Sequence, residues 1–216
     1  MSERGVFITF EGGEGSGKST QIRLLARRLE AAGMTVRVLR EPGGTEPGEA
    51  IREILLDPHH AGLDPRAELL LYEAARAQLV ADVIEPALEA GEVVLCDRFF
   101  DSSAAYQGYG RGLPVDEVAH LNKAATGGLL PDRTLVFDLD PAVGLSRATS
   151  HGADRLEGED GAFHERVRAG FLAIAAAEPE RVRVVDAGGS VEDVADKIEA
   201  VLADVPALSR ALGPGR

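Results

Sequence analysis

One stretch decides the fold of this 216-residue chain: Gly12-Gly13-Glu14-Gly15-Ser16-Gly17-Lys18-Ser19, followed by Thr20. It matches the pattern G-x-x-x-x-G-K-[ST], in which glycines let successive backbone N–H groups turn inward around an anion. An apolar run at residues 6–10 precedes it and a helical pattern follows it, so a helix N-terminus adds partial positive charge to the loop. The sequence therefore predicts that this stretch binds the phosphates of ATP, with Lys18 on the β- and γ-phosphates and Ser19 on Mg²⁺.

Lysine usage supports this interpretation. The chain contains 20 arginines but only three lysines, Lys18, Lys123 and Lys197. An ammonium is a compact, rotatable point charge, unlike the planar guanidinium, and the chain places one where such a charge is needed. A chance glycine-rich turn is not expected to combine this lysine with a preceding strand and a following helix.

Five short β-rich runs alternate with helical patterns along the chain. The runs are residues 6–10, 35–40, 92–97, 133–138 and 181–186. Strands separated by helices form parallel crossovers, and near-continuous Val, Leu and Phe content is typical of strands buried on both faces. We therefore predict an α/β protein of the P-loop NTPase type, with three α/β/α layers around a five-stranded parallel sheet. Residues 1–216 are expected to form a single domain that ends in a loosely held tail at 204–216.

Local signals mark the ends of two helices. An Asp-Pro pair at residues 64–65 is a typical helix start, and this helix is expected to run to about residue 91 with a kink at Pro86. Residues 190–193 resemble a capping box that begins the last long helix.

Composition limits the partners. The formal charge of −13 argues against a nucleic acid polymer as a partner, because proteins that bind such polymers need a basic surface to neutralise phosphates.

The single cysteine, Cys96, excludes an intramolecular disulfide. It lies in an apolar run and is expected to be a buried thiol. No apolar stretch reaches the ~20 residues that span a bilayer, and no apolar leader follows Met1, so we expect no membrane partner and a cytoplasmic location. The five histidines are expected in surface or loop positions.

Two arginines are predicted to converge on the phosphate loop. Arg40 ends the second strand and Asp97-Arg98 ends the third, and ligands of open α/β sheets gather at the carboxyl ends of strands. Asp97 is expected to orient Mg²⁺ through water, while both arginines face the phosphate of an acceptor. Glu14 would be repelled by a triphosphate, so it should turn toward Arg98 or a sugar hydroxyl of the acceptor.

Two further patterns bear on the substrate. Tyr72 and Arg76 lie four residues apart on one helix face, which suits a stacked base with a carbonyl edge. Asn122-Lys123-Ala124-Ala125 begins like the guanine motif N-K-x-D, but Ala125 cannot accept a hydrogen bond from a base. The pattern therefore disfavours a GTPase and leaves small-molecule kinases and ATP-driven ligases or pumps.

Together these residues resemble a thymidylate kinase of the bacterial type, from about residue 5 to residue 203. The resemblance is carried by Phe10-Glu11-Gly12, Arg40-Glu41-Pro42-Gly43-Gly44-Thr45, Tyr72 with Arg76, Asp97-Arg98, and Ser102-Ser103-Ala104-Ala105-Tyr106-Gln107-Gly108. These motifs distinguish the chain from adenylate, guanylate and shikimate kinases. The resemblance implies direct in-line transfer of a phosphoryl group from MgATP to dTMP, giving dTDP and ADP, and a homodimer formed through helical faces.

The resemblance also implies roles for individual residues. Arg40 and Arg98 would bind the phosphate of dTMP, and Glu14 would approach the 3′-hydroxyl of the deoxyribose. Thymine would stack on Tyr72, where the family usually has Phe. Arg76 and Ser103 would contact the edge of the base, and Tyr106 would lie against the 2′ position of the sugar. Gln107 is also implied as a substrate-binding residue.

A catalytic cation is expected from a short mobile lid at the polar, glycine-rich residues 151–161. Some family members carry Arg at the fourth position of the phosphate loop, where this chain has Gly15. The resemblance then implies that Arg155 supplies the charge over the transferring phosphoryl group, with Arg147 and Arg166 as second candidates. Closure of the lid would also exclude water.

The sequence leaves two other functions open. One is a kinase for another nucleoside monophosphate or for a deoxynucleoside. The other is a non-catalytic protein that binds ATP as a structural ligand or as a switch for a partner.

Overall fold

The computed structural model describes residues 4–148 and 155–212. Within these ranges, five strands form one all-parallel sheet, as predicted, and their order in the sheet is β2-β3-β1-β4-β5. The strands are β1 (Val6–Gly12), β2 (Val36–Arg40), β3 (Val93–Asp97), β4 (Arg133–Asp138) and β5 (Val182–Asp186).

Helices connect the strands and continue beyond the last one. They are α1 (Lys18–Ala31), α2 (Glu46–Leu56), α3 (Pro65–Leu79), α4 (Glu85–Glu89), α5 (Phe100–Ser103), α6 (Val115–Ala125), α7 (Pro141–Ala148), α8 (Gly161–Ala177), α9 (Val191–Leu202) and α10 (Ser209–Leu212). Two π-helical segments, Val80–Ile84 and Ala104–Gly110, and a 3₁₀ turn, Pro58–His60, complete the connections.

Helices cover both faces of the sheet, which confirms the three predicted layers. Alternate side chains of β1 point to opposite layers, as the period of a strand requires. Ile8 and Phe10 pack in the same cluster as Leu25 of α1, whereas Phe7 packs in the same cluster as Leu79 of α3. A third cluster joins Val136 of β4 to α8.

The long helix predicted from residues 64–65 begins where expected. The Asp64 side chain accepts hydrogen bonds from the first turn of α3, and α3, a π-helical segment and α4 follow one another up to Glu89. The widened π turn ends at Ile84, two residues before Pro86, which has no backbone N–H to give to a regular helix. The predicted capping box at Ser190 and Asp193 is also present.

Strand β2 departs from the expectation of burial on both faces. Val38 is 50% exposed, and the other residues of β2 are only partly covered. The reason is position: β2 lies at the edge of the sheet and has a single neighbouring strand, β3.

The C-terminal segment was expected to be a loosely held tail, and for residues 204–212 this expectation is wrong. Leu208 is 0% exposed, and Val205, Leu208 and Leu212 belong to the cluster that contains α1 and α9. Three apolar side chains spaced three and four apart form one helix-like face, and their burial stabilises the segment. Residues 213–216 lie outside the described ranges.

Expectations for two other residue types have mixed outcomes. Cys96 is fully buried as predicted, and burial raises the pKa of its thiol well above the ordinary value. His164 is 5% exposed within α8, so the expectation that it lies at the surface is wrong. It faces the core because it follows Phe163 and precedes Val167 on the helix, both of which are buried. His151 lies outside the described residues.

Strand register determines which side chains meet at the carboxyl edge of the sheet. Asp97 at the end of β3 pairs with Phe10 of β1 and with Arg40 of β2. The loop after β1 and the side chains that end β2 and β3 therefore open into the same crevice, where ligands of doubly wound sheets bind. In the part of the chain that the structure describes, no helix is long and apolar enough to cross a membrane.

Candidate active site

A cavity of ≈ 430 Å³ lies above the carboxyl ends of β1, β2 and β3. Most of the predicted site residues line it, so the fold brings together residues that are widely separated in sequence. The lining residues are Glu14, Gly15, Ser16, Gly17, Lys18, Ser19, Thr20, Arg40, Glu41, Pro42, Arg52, Leu56, Tyr72, Asp97, Arg98, Ser102, Ser103, Tyr106, Gln107 and Leu156.

The phosphate loop has the backbone conformation that its glycines predict. Gly15 has φ 62° and Gly17 has φ 90°, left-handed values that side-chain-bearing residues rarely adopt. The Lys18 ammonium donates to the carbonyl oxygens of Gly12 at 3.1 Å and Gly13 at 2.8 Å. Burial and the nearby Arg98 lower the pKa of Lys18. The ammonium therefore lies within the loop that is predicted to surround the phosphates.

A hydroxyl and a carboxylate meet where α1 begins. Ser19 Oγ donates to Asp97 Oδ2 at 2.8 Å, across 78 residues of sequence. Both side chains line the cavity. The predicted pair of oxygen ligands is therefore assembled beside the phosphate loop.

Arg98 has a strained backbone and bonds to several neighbouring segments of the cavity. Its φ of 71° lies in the left-handed region, which costs a non-glycine residue about 1–2 kcal/mol. Its N–H donates to Phe10 O at 2.9 Å, and Cys96 Sγ donates to its carbonyl at 3.1 Å. The guanidinium donates to Gly12 O at 3.0 Å, so the predicted acceptor-binding cation is bonded to the phosphate loop itself.

Glu14 turns away from the loop toward positive charge, as the sequence predicts. It accepts hydrogen bonds from Arg98 Nη2 and, at 2.9 Å, from the Tyr106 hydroxyl. Burial acts to raise the pKa of Glu14, but Arg98 and Lys18 outweigh it and hold the pKa below the ordinary value. Glu14 is therefore an ionised acceptor at neutral pH, next to the side chain predicted to screen the sugar.

Arg40 lines the cavity as predicted, and a second arginine of the same wall was missed. Arg40 Nη2 donates to Glu49 of α2 at 2.7 Å. Arg52 Nη1 donates to Pro42 O at 2.9 Å, and Arg52 also lines the cavity. Glu49 and Arg52 lie three residues apart on α2, shortly after the Glu-Pro-Gly-Gly turn. Residues at this spacing share a helix face, so the sequence could have indicated that Arg52 lies on the same wall as Glu49.

Tyr72 and Arg76 share a helix face, but only Tyr72 lines the cavity. Arg76 is 1% exposed, and its guanidinium is held by the carboxylates of Glu41 and Glu73. It also donates to Ser103 Oγ at 3.0 Å and to Asn122 Oδ1 at 3.1 Å. Ser103 therefore stands between Arg76 and the cavity, and Asn122 has a structural contact in place of a role in guanine recognition.

Arg155 was predicted to lie over the transferring phosphoryl group, but it is buried and does not line the cavity. Its Nη1 donates to Glu68 Oε2, and its Nε donates to Leu55 O at 2.8 Å. Its Nη2 is buried and has no hydrogen-bond partner among the described residues. Its neighbour Leu156 lines the cavity. Residues 151–154 of the predicted lid lie outside the described ranges.

The two second-choice arginines lie on different elements. Arg166 donates to Gly110 O at 3.1 and 3.2 Å and does not line the cavity. Arg147 is close to that loop, because a Cβ built at Gly15 would meet Arg147 Cβ at 3.2 Å and Gly144 O at 2.0 Å. Helix α7 therefore packs backbone to backbone against Gly15, and a side chain at residue 15 would displace it.

The comparisons with known proteins agree with this geometry. The family model described as Thymidylate kinase matches residues 10–198. The thymidylate kinase of Solidesulfovibrio magneticus is 55% identical over 205 residues, which are 91% of this chain and 98% of the relative. That of Deinococcus radiodurans is 52% identical over 202 residues, covering 93% of this chain and 98% of the relative.

A solved structure gives the same result. The crystal structure of thymidylate kinase from Ehrlichia chaffeensis matches with a TM-score of 0.75 and 37% sequence identity, covering 92% of this chain and 98% of that chain. The matched residues include the phosphate loop, Arg98 and Tyr106, which the cavity brings together. The chain belongs to the thymidylate kinase family.

Proposed function

We propose that this protein transfers the γ-phosphoryl group of ATP to dTMP, giving dTDP and ADP. One observation carries the proposal: Arg98 Nη1 lies 3.0 Å from Gly12 O, so a cation suited to the acceptor phosphate is fixed to the loop that holds the donor. Phosphoryl transfer depends mainly on positioning and charge neutralisation, and this bond holds the two phosphate sites at a constant separation. Family membership identifies the acceptor as thymidylate.

On the donor side, the residues 12–20 would surround the triphosphate. Backbone N–H groups of the loop and the N-terminus of α1 supply fixed partial positive charge. The Lys18 ammonium contacts the carbonyls of Gly12 and Gly13, and it would exchange them for the oxygens of an ionised phosphate, which form stronger hydrogen bonds.

The residues beside the loop fit a magnesium ion. Mg²⁺ prefers oxygen ligands and usually binds one or two protein groups together with phosphates and water. Ser19 Oγ and Asp97 Oδ2, 2.8 Å apart, provide such a pair. Within residues 4–148 and 155–212, no cluster of three or more His, Cys, Asp or Glu residues could form a separate metal site. We propose that Ser19 holds the ion and that Asp97 orients it partly through water; when bound, it neutralises phosphate charge.

On the acceptor side, Arg40 and Arg98 would bind the phosphate of dTMP and Glu14 would accept from the 3′-hydroxyl. Thymine would stack on Tyr72, whose ring lines the cavity. Ser103 and Gln107 would contact the base, and Arg76 would hold Ser103 in place through its hydrogen bond to Ser103 Oγ. Tyr106 would lie against the 2′ position of the sugar.

The transfer step needs no strong general base. The phosphate of dTMP has its second pKa near 6, so its oxygen is already anionic at neutral pH. Arg155 is proposed from the family resemblance as the cation for the transferring group, and its buried Nη2 has no partner among the described residues. Its guanidinium is bonded to Glu68 outside the cavity lining, so it would have to leave this carboxylate to reach the phosphoryl group. An arginine in that role contributes about 10³–10⁵ in rate.

A substrate panel tests the proposal. ADP formation is followed with MgATP and dTMP, dUMP, dCMP, dGMP or thymidine in turn. We expect dTMP to have the highest kcat/KM. A preference for another monophosphate or for thymidine would assign a different kinase, and ATP binding without turnover of any acceptor would indicate a non-catalytic protein.

Two proposals concern the protein as a whole. A homodimer through helical faces is proposed from the family resemblance, and sedimentation at several protein concentrations tests it. A cytoplasmic location is proposed because both nucleotides that the site would use are metabolites of that compartment.

A further inference from the structure

Glu68 of α3 is a fully buried carboxylate behind the base end of the cavity. It is 0% exposed. It accepts hydrogen bonds from Gln107 Nε2 at 2.7 Å, from Arg111 at 3.2 and 3.3 Å, and from Arg155 Nη1. Burial acts to raise its pKa, but the bonds from Arg111 and Gln107 outweigh burial and lower the pKa. Glu68 is therefore ionised, and both of its oxygens can only accept hydrogen bonds.

This charge determines the orientation of the Gln107 amide. An amide has a donor side and an acceptor side, and a carboxylate can bind only the donor side. With Nε2 held by Glu68, Oε1 points the other way. Gln107 lines the cavity together with Tyr72 and Ser103, and no donor among the described residues bonds Oε1. The base end of the cavity thus presents a fixed hydrogen-bond acceptor.

A fixed acceptor distinguishes between pyrimidines. Position N3 carries a proton in thymine and uracil and is a donor, whereas in cytosine N3 is an acceptor and would face Oε1 lone pair to lone pair. A site built to bond a donor rejects an analogue that lacks it, because its polar group is then left unpaired. We propose that Glu68 is a positioning residue for substrate choice, which acts by locking the amide of Gln107 with its oxygen toward the base. This inference rests on the proposed function.

The decisive variant is Glu68→Gln in the full chain. A glutamine at position 68 offers both a donor and an acceptor, so the amide of Gln107 can turn. We expect the ratio of kcat/KM for dTMP to that for dCMP to fall about tenfold or more. The ratio for dTMP to dUMP should stay constant, because both bases carry the N3 proton. An equal loss of activity with all three substrates would overturn the proposal and leave Glu68 a purely structural residue.

Glu159→Gln is the matched control. Glu159 bonds Arg111 from the other side of the same cluster but does not contact Gln107. This change removes the same charge from the cluster and should leave the dTMP to dCMP ratio unchanged. A fall in the ratio equal to that of Glu68→Gln would mean that the charge of the cluster, and not the orientation of the amide, sets the choice.

A swapped pair keeps the proposal testable if Glu68→Gln does not fold. In the double variant Glu68→Gln with Gln107→Glu, residue 68 can donate to residue 107, and residue 107 can present only oxygens. We expect the preference for dTMP over dCMP to persist in this variant, and its loss would contradict the proposal. Failure of the unchanged protein to phosphorylate dTMP would instead refute the proposed function, so the two failures are distinguishable.

Discussion

Glu11 accepts a hydrogen bond from the backbone N–H of Phe99 at 2.8 Å, which joins the strand entering the phosphate loop to the turn that carries Arg98. It also accepts from the N–H of Ser102 at 3.3 Å and from Ser102 Oγ at 2.5 Å. Phe99 is the N-cap of α5 and has no side-chain cap of its own. A carboxylate 88 residues away in sequence therefore caps this helix.

The burial of Glu11 predicts a pH dependence of stability. Burial, reinforced by the nearby Asp101, raises the pKa of Glu11 from 4.5 to about 8. Between pH 4.5 and about 8, Glu11 is protonated in the folded state but ionised in the unfolded state. The contribution of Glu11 to the free energy of unfolding is therefore fully present below pH 4.5 and is lost as the pH rises through about 8. We expect the free energy of unfolding to fall over this range more steeply for the natural protein than for Glu11→Gln. Urea unfolding of both proteins at pH 5, 6, 7 and 8 measures this, and parallel curves would contradict it.

The backbone contact between α7 and the phosphate loop predicts that Gly144 cannot carry a side chain. A Cβ at Gly144 would lie 2.3 Å from Glu14 O, so Gly144→Ala must push the helix and the loop apart. A misplacement of about 1 Å can cost up to 10²-fold in rate, so we expect kcat/KM for ATP to fall about tenfold or more.

Gly62→Ala is the control for this change, because a Cβ there meets nothing within 4 Å. It should leave kcat/KM for ATP unchanged. Normal ATP kinetics in Gly144→Ala would show that α7 does not restrain the loop.

Tyr106 is predicted to screen the sugar. Tyr106→Ala should raise the use of UMP or ribothymidylate relative to dTMP, because the space beside the 2′ position would open. Tyr106→Phe keeps the ring while removing the hydroxyl that bonds Glu14 and Arg98, so its sugar preference should not change. Comparing kcat/KM ratios for the two variants separates size from hydrogen bonding. Removing a buried ring also costs about 3–5 kcal/mol, so the melting temperature must be measured alongside.

Arg155 is predicted to act in the transfer step. Arg155→Ala should lower kcat by about 10³-fold or more, with a much smaller rise in KM for dTMP. Glu68 keeps Arg111 as a counter-charge in this variant, so the protein should remain folded. Arg183→Ala removes an arginine from the distant strand β5 and serves as the control. An effect confined to KM would reassign Arg155 to substrate binding.

Patterns within a few residues of one another predicted much of the fold. The five strands, the helix start at Asp64 and the capping box at Ser190 follow from local periodicity and capping. The burial of Leu208 was missed because three apolar residues near a chain end do not indicate which surface they cover.

Pairs of residues far apart in sequence were less predictable. Arg76 and Arg155 were given substrate and catalytic roles from the family resemblance. Each guanidinium is nevertheless held by a carboxylate distant in sequence, Glu41 at 35 residues from Arg76 and Glu68 at 87 residues from Arg155. No local signal distinguishes Glu11 or Glu68 from a surface acid, since their burial results from the packing of other elements over them.

The sequence by itself determined where the phosphate loop lies and how strands and helices alternate along the chain, because glycine conformation, capping and apolar spacing act over neighbouring residues. Only the tertiary structure decided which buried carboxylates pair with which arginines and which way the Gln107 amide faces. The physical reason is that hydrogen bonds and ion pairs depend on distances of about 3 Å, and for residues distant along the chain these distances are set only when the layers of the fold pack together.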